Sequence, residues 1–241
     1  MVNALKIIAQ ICVISFLLSF KVFSIEDRLA IKYVENLGQQ AINILKTPIE
    51  DLQTREFLFE KMLNNNFDKK LIHRAVLGKS AKGASKEQLI RFGVAFDKHI
   101  VKVYASQLGV YSNQLFIIDK AYKTGKNIKK ILNKFEEVNL KLKEKLIDEE
   151  RRYLLIELIN LQEKIDALDT IVSSHIEHET APPLRIDWRL RDRGKGTKII
   201  DIAIEGVSLL ATKRADFSST IKKGGLHGLI NDLEEKNTQN N

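Results

Sequence analysis

Five histidines, His73, His99, His175, His178 and His227, are the first residues to weigh for chemistry. His175 and His178 stand three apart, with Glu177 and Glu179 beside them. On a helix that spacing could hold a metal ion. The alternation around them reads as strand, where positions i and i+3 face opposite sides, so shared ligation is not expected. A single cysteine, Cys12, excludes a disulfide scaffold and every multi-thiolate metal site. Gly78-Lys79-Ser80 and Gly194-Lys195-Gly196 lack the spacing of a phosphate cradle, and the chain has no GxGxxG, P-loop or HExxH phrase. Ser208 follows Glu205-Gly206-Val207 and does not sit in the G-x-S-x-G turn of hydrolases. Asp187 and Asp201 fall on neighbouring predicted strands, and paired carboxylates can do acid–base work. Arg185, Arg189 and Arg191 lie close by, so surface ion pairs are the expected use. These residues predict no enzyme, no catalytic residue, no metal site and no cofactor.

Composition narrows the choice further. The chain has 241 residues, 44% of them hydrophobic, enough for a folded core. Residues 1–24 have the form of an export signal. Lys6 supplies the positive start, Ile7 to Phe20 carries no charge, and Val22 and Ser24 precede a cleavage site before Ile25. The apolar run is shorter than the roughly 18–20 residues that cross a bilayer. Cleavage removes Lys6 and Lys21 from 39 basic residues and none of the 31 acidic ones, lowering the net charge from +8 to +6. It also removes Cys12, so the mature chain needs no oxidative folding. The expected location is the periplasm. Export argues against nucleic acid, and the positive charge suits anionic membrane surfaces or acidic partners.

The elements that must position any site follow from periodicity. Leu29, Tyr33, Leu37, Ile44 and Leu45 recur at helical spacing up to Thr47-Pro48. A second helix is expected from Ile49 to Asn64, and a third from Lys69 to Leu77, capped by Asp68. Gly78 to Ala84 reads as a flexible stretch. Ser85 and Gln88 form a capping box that opens a long helix bearing Leu89, Phe92, Phe96, Ile100, Val103, Tyr104 and Leu108. Strands are expected at Gln114–Asp119, Ile171–His178, Leu184–Leu190 and Lys198–Glu205, mostly antiparallel. Residues 208–236 return to helix with a break at Gly224-Gly225, and 237–241 read as a polar tail. Residues 126–169 contain no Gly or Pro and read as a helical insertion in a hairpin. They run either as one helix of roughly 66 Å or as two helices folded back near Asp148-Glu149-Glu150. The stripe could serve as a dimer seam, and the segment could equally be a tolerated surface insertion.

A small α+β domain with this much apolar surface either closes its core or leaves an apolar gap suited to an acyl chain. The sequence pattern alone does not separate the two. The C-terminal third carries a longer signal. Pro183–Arg191 (PLRIDWRLR), Lys198–Leu210 (KIIDIAIEGVSLL), then Arg214, Phe217 and Lys223–Leu229 (KGGLHGL) resemble the MlaC family, periplasmic phospholipid-binding proteins of the system that maintains outer-membrane lipid asymmetry. Phe92 to Leu108 resembles the same family's Phe-rich helix. The likeness covers about residues 25–125 and 170–236.

The resemblance implies an NTF2-like curved antiparallel sheet packed under several helices, forming a lipid-binding domain over 25–236. It implies a deep apolar cavity holding phospholipid tails, with the phospholipid as cargo. The lining positions it suggests are Phe92, Phe96, Tyr104, Ile117, Ile186, Trp188, Ile202, Val207, Leu210 and Phe217. Arg214 is either a phosphate partner or a structural ion pair with Asp216 or another carboxylate. The implied partners are an inner-membrane ABC-type lipid transporter complex and an outer-membrane lipoprotein–porin complex. The implied function is a carrier that shuttles phospholipid between them. Residues 126–169 depart from the family pattern, where a plain strand turn is expected. The alternative is a periplasmic scaffold that assembles through that segment.

Overall fold

The computed structural model describes residues 25–107, 114–177, 182–192 and 196–239. The predicted export signal, Leu108, His178, Glu179 and the Gly194-Lys195 pair lie outside them. The described residues open with four helices: α1 (Ile25–Leu45), α2 (Leu52–Asn66), α3 (Lys69–Leu77) and α4 (Lys86–Gln107). Local chemistry sets their starts. Asp51 accepts the Thr54 N–H at 3.2 Å, and Asp68 accepts the Leu71 N–H at 3.0 Å. The capping box closes in both directions, with the Gln88 N–H donating to Ser85 Oγ at 3.1 Å and the Ser85 N–H to Gln88 Oε1 at 3.0 Å. Between α3 and α4 the stretch expected to be flexible is a 3₁₀ turn, Gly78–Lys82.

Five antiparallel strands follow as a meander, each beside the next: β1 (Leu115–Thr124), β2 (Asp169–Glu177), β3 (Leu184–Arg191), β4 (Lys198–Ile204) and β5 (Val207–Ser208). Strand β3 shows why it forms. Ile186, Trp188 and Leu190 are buried and alternate with polar neighbours on the opposite face. Strand β1 runs five residues beyond the predicted Asp119. A bulge between Ile118 and Lys120 shifts the alternation, so that Ala121 rather than Lys120 turns inward opposite Val172. Two-residue β5 was not expected. Glu205 (φ 49°) and Gly206 (φ 78°) form the tight turn that folds it back on β4.

Between β1 and β2 stand α5 (Ile128–Lys141) and α6 (Asp148–Asp166). The stripe is therefore folded back, at 142–147, just ahead of the acidic triplet. Asp148, Glu149 and Glu150 form the first turn of α6, where negative charge suits the helix dipole. The Ile147 N–H donates to Glu150 at 3.3 Å. The pair has its own small core of Phe135, Val138, Leu158, Leu161 and Ile165.

Helix α7 (Leu209–Gln239) closes the chain, interrupted at Gly225 (φ 67°, ψ −175°) as the glycine pair predicts. The expected polar tail is helical through Gln239. Asn237 is buried on α4, donating to the Ala95 carbonyl at 2.9 Å and accepting Lys102 Nζ at 2.6 Å on its own carbonyl.

The outer face of the sheet is charged. Asp169 is buried between Arg189 and Arg191, accepting at 2.8 Å from Arg189 Nε and at 2.5 Å from Arg191 Nε. Burial alone would raise its pKa, but the two guanidinium hydrogen bonds outweigh that and hold the carboxyl below the usual aspartate value. Asp187 accepts from Ser173 Oγ at 2.5 Å and Arg185 at 2.7 Å, and His175 pairs with Asp119 at 2.7 Å.

Candidate functional site

Two apolar clusters lie on either side of the site, apart from the α5–α6 core. One joins α1, α2 and the inner face of the sheet through Val34, Leu37, Phe59, Met62, Val172 and Trp188. The other joins α3, α4 and α7 through Val76, Phe92, Phe96, Phe217, Leu229 and Ile230. They do not merge into one filled core. A cavity of about 490 Å³ lies between helices and sheet, and Ile100 packs against both clusters beside it. That volume falls within the range of roughly 300–1,000 Å³ typical of small-molecule sites.

The cavity occupies one end of the sheet. Its lining takes Gln114 from just before β1, Phe116 from the start of β1, Ile176 from the end of β2, and Leu184 from the start of β3. The other end of the β1–β2 ladder, Thr124 opposite Asp169, carries the α5–α6 pair. Many inner-face side chains, among them Phe116, Ile176, Leu184, Ile202 and Ile204, are only half-buried and line this space. An apolar wall with so few packed atoms opposite it is the arrangement that accepts an apolar ligand.

Specific contacts hold the wall open. The Trp188 indole donates from Nε1 to Ser174 Oγ at 2.9 Å, and that hydroxyl donates to the Ile186 carbonyl at 3.1 Å. Phe116 meets Trp188 edge-on with centroids 6.2 Å apart. Gly38 of α1 makes room for the Phe116 ring; a Cβ there would collide with it. Tyr104, half-buried, has its phenol pKa pushed up by burial.

One patch of the lining is polar. Asp97 of α4 receives Lys69 Nζ at 2.8 Å and His73 Nε2 at 2.6 Å, tying α3 to α4. Burial acts to raise the Asp97 pKa, yet hydrogen bonds from His73 and Lys69 leave it lowered. The His73 ring stands edge-on to Phe96 at 5.6 Å, and Gly93 leaves it the space. Asp201 and Lys213 complete the polar lining, with Gln114.

Six of the predicted residues line the cavity together: Phe96, Tyr104, Ile186, Trp188, Ile202 and Leu210. The remaining four do not. Phe92 is fully buried behind Phe96, stacked on it at 5.5 Å, and Phe217 abuts both rings from α7. Ile117 falls on the outer face, since its neighbour Phe116 is the one turned inward opposite Ile176. Val207 is 59% exposed at the start of β5. Arg214 is also exposed and is not among the lining residues; among the described residues it forms no ion pair with Asp216 or another carboxylate, and its Nε donates to the Ala75 carbonyl at 2.5 Å. The lysine one position earlier, Lys213, reaches the cavity instead.

The two aspartates considered for acid–base work are separated by the strand register: Asp187 lies opposite Ala203, and Asp201 opposite Arg189. Asp201 caps α7, accepting from Ser208 Oγ at 2.6 Å and the Leu210 N–H at 3.1 Å. Among the described residues no group of three or more His, Cys, Asp or Glu could hold a metal ion. Also among them, no helix is long and apolar enough to cross a membrane. Sequence reasoning missed the share of α1 and α2, whose Ala41, Ile42, Met62 and Leu63 line the cavity. Their spacing is that of any packed helix face and holds no signal that would separate cavity from core.

The family model described as MlaC protein matches residues 35–137 and 152–235. Its gap, 138–151, falls at the far end of the α5–α6 pair. By structure, the chain is similar to the phospholipid-binding protein from Ralstonia solanacearum, solved in complex with a phospholipid. The TM-score is 0.63 at 20% sequence identity, over 86% of this chain and 96% of that one. No curated protein matches by sequence.

Proposed function

Because the chain belongs to the MlaC family, we propose that it is a non-enzymatic phospholipid carrier of the periplasm, taking up its cargo in the cavity between helices and sheet. The observation that carries this reading is the row of half-buried apolar side chains facing about 490 Å³ of space. Each lipid methylene moved there from water contributes about 0.8 kcal/mol, so acyl chains bind without charge chemistry. Phe96, Tyr104, Ile186, Trp188, Ile202 and Leu210 are the proposed tail contacts among the predicted residues. The similar protein from Ralstonia solanacearum is described as phospholipid-binding, which supports the same cargo here.

The carrier would exchange this lipid between an inner-membrane ABC-type transporter complex and an outer-membrane lipoprotein–porin complex. It shields the tails during transit, so release requires a partner that favours an opened cavity. The test is to express the full chain with its own leader in a Gram-negative periplasm, purify it without detergent and extract it for lipid mass spectrometry. Near-stoichiometric phospholipid is expected. A folded, lipid-free protein would reject the reading.

A second reading rests on a separate observation. On α6, Tyr153, Ile156 and Ile159 are exposed, although that helix already has a core of its own. This favours a scaffold that assembles through 126–169. Removing the segment separates the two readings: a carrier keeps its lipid, and a scaffold loses its assembly state.

A further inference from the structure

The cavity lining holds five side chains that can carry charge: Lys69, His73, Asp97, Asp201 and Lys213. Four have their partners within the protein. Asp97 is bound by Lys69 and His73, and Asp201 by Ser208 and the Leu210 N–H. Lys213 differs. It is half-buried on the second turn of α7, and among the described residues it makes no hydrogen bond or ion pair. A surface lysine without a partner means little, because water solvates it. A lysine on the wall of an apolar cavity loses part of that water and has nothing in the protein to replace it.

Its acidic neighbours do not pair with it: Asp216, one turn on along α7, is exposed, and Asp232 pairs with Lys236 at 2.9 Å. His99 is the nearby titratable group on α4; burial first, and then Lys213 and Lys236, favour its neutral form. The carboxylates of the lining are Asp201, committed to the α7 cap, and Asp97, committed to Lys69 and His73 of α3. An apolar space with one uncompensated cation on its wall is complementary to an amphiphile with an apolar body and an anionic end.

Resting on the reading that this cavity holds a lipid, we propose that Lys213 receives the phosphodiester of the bound lipid. That fixes the ligand's direction: the phosphate lies beside the start of α7, and the acyl chains run toward Phe116 and Trp188. Lys213 then selects lipids that keep an anionic phosphate over apolar molecules with the same tails.

The test loads the delipidated full chain from an equimolar mixture of phosphatidylglycerol and diacylglycerol carrying identical acyl chains, read by native mass spectrometry. Wild type is expected to take the phospholipid preferentially. Lys213→Met is expected to lower that preference roughly tenfold or more, the scale of one charge-assisted hydrogen bond, while still taking lipid. Lys213→Arg keeps the cation and is expected to keep the preference. Unchanged circular dichroism confirms that the variants fold. A Met variant with the wild-type preference would overturn the assignment and leave the carrier reading intact. A wild type that takes neither lipid would overturn both. In a third arm, inorganic phosphate at millimolar concentration replaces the lipids. Lys213-dependent binding of free phosphate, without discrimination between the two lipids, would assign the site to a small anion and also overturn the proposal.

Discussion

Replacing Ala41 with phenylalanine puts the cavity to a thermodynamic test with opposite signs. Ala41 sits on α1, half-buried, with its methyl toward the empty space. In an open cavity the new ring removes apolar surface from water, worth about 1.5–3 kcal/mol for a phenylalanine side chain. Helix propensity opposes this by about 0.5 kcal/mol. The lipid-free protein should therefore gain about 1–2.5 kcal/mol, or roughly 2–10 °C in Tm for a chain of this size. Bound lipid should lose contact over the same volume. About six methylenes at about 0.8 kcal/mol each give about 5 kcal/mol, a weakening of more than about a thousandfold. Urea unfolding of delipidated protein measures the first effect, and lipid mass spectrometry of protein purified from the periplasm measures the second. A filled core would respond the other way, with overpacking that costs about 1–3 kcal/mol. A lower Tm together with unchanged lipid content would refute the cavity argument.

Three further outcomes follow from the same geometry. Asp97 and Asp169 both have carboxyl pKa values held below the usual aspartate range, by His73 and Lys69 and by Arg191 and Arg189 respectively. Their contribution is present above the unfolded-state value of about 4 and is lost as pH falls through the lower folded values; urea midpoints measured from pH 6 downward should therefore decline most below about pH 4. Asn237→Ala removes a buried donor from the Ala95 carbonyl and should cost about 1–2 kcal/mol in chemical denaturation, where a free tail would cost nothing. Replacing residues 126–167 by a short turn should leave a folded protein whose lipid content per chain equals that of the wild type, because the cavity draws nothing from α5 or α6.

Most of the architecture is legible in the sequence, and the gaps have identifiable causes. Helix starts announce themselves through Asp68 and Ser85 because a cap is a local hydrogen bond between near neighbours; the second helix starts at Leu52, three residues after the expected Ile49, behind the unread cap Asp51. Strand β3 is equally clear, since Ile186, Trp188 and Leu190 alternate without interruption. Strand β1 is not, because its bulge breaks the period of two at Asp119. The cavity is the least legible feature. Phe92 and Phe96 stand one helical turn apart with the same residue type, yet one fills a core and the other faces the space. That difference depends on where α7 places Phe217, which no local pattern encodes. Lys213 is hidden for the same reason: among so many surface lysines, its position on the cavity wall is a property of the assembled domain alone.

The α5–α6 pair has a consequence for how the chain finds its fold. It places 44 residues between Thr124 and Asp169, the first cross-strand pair of the β1–β2 ladder. Joining the ends of a flexible loop becomes dearer by about 0.6 kcal/mol with each doubling of its length, so an unstructured segment here would cost about 2 kcal/mol more than a tight turn. Two helices with a core of their own hold the ends of the segment together at the Thr124–Asp169 pair, so the ordered insertion spans 44 residues and still joins neighbouring strand ends.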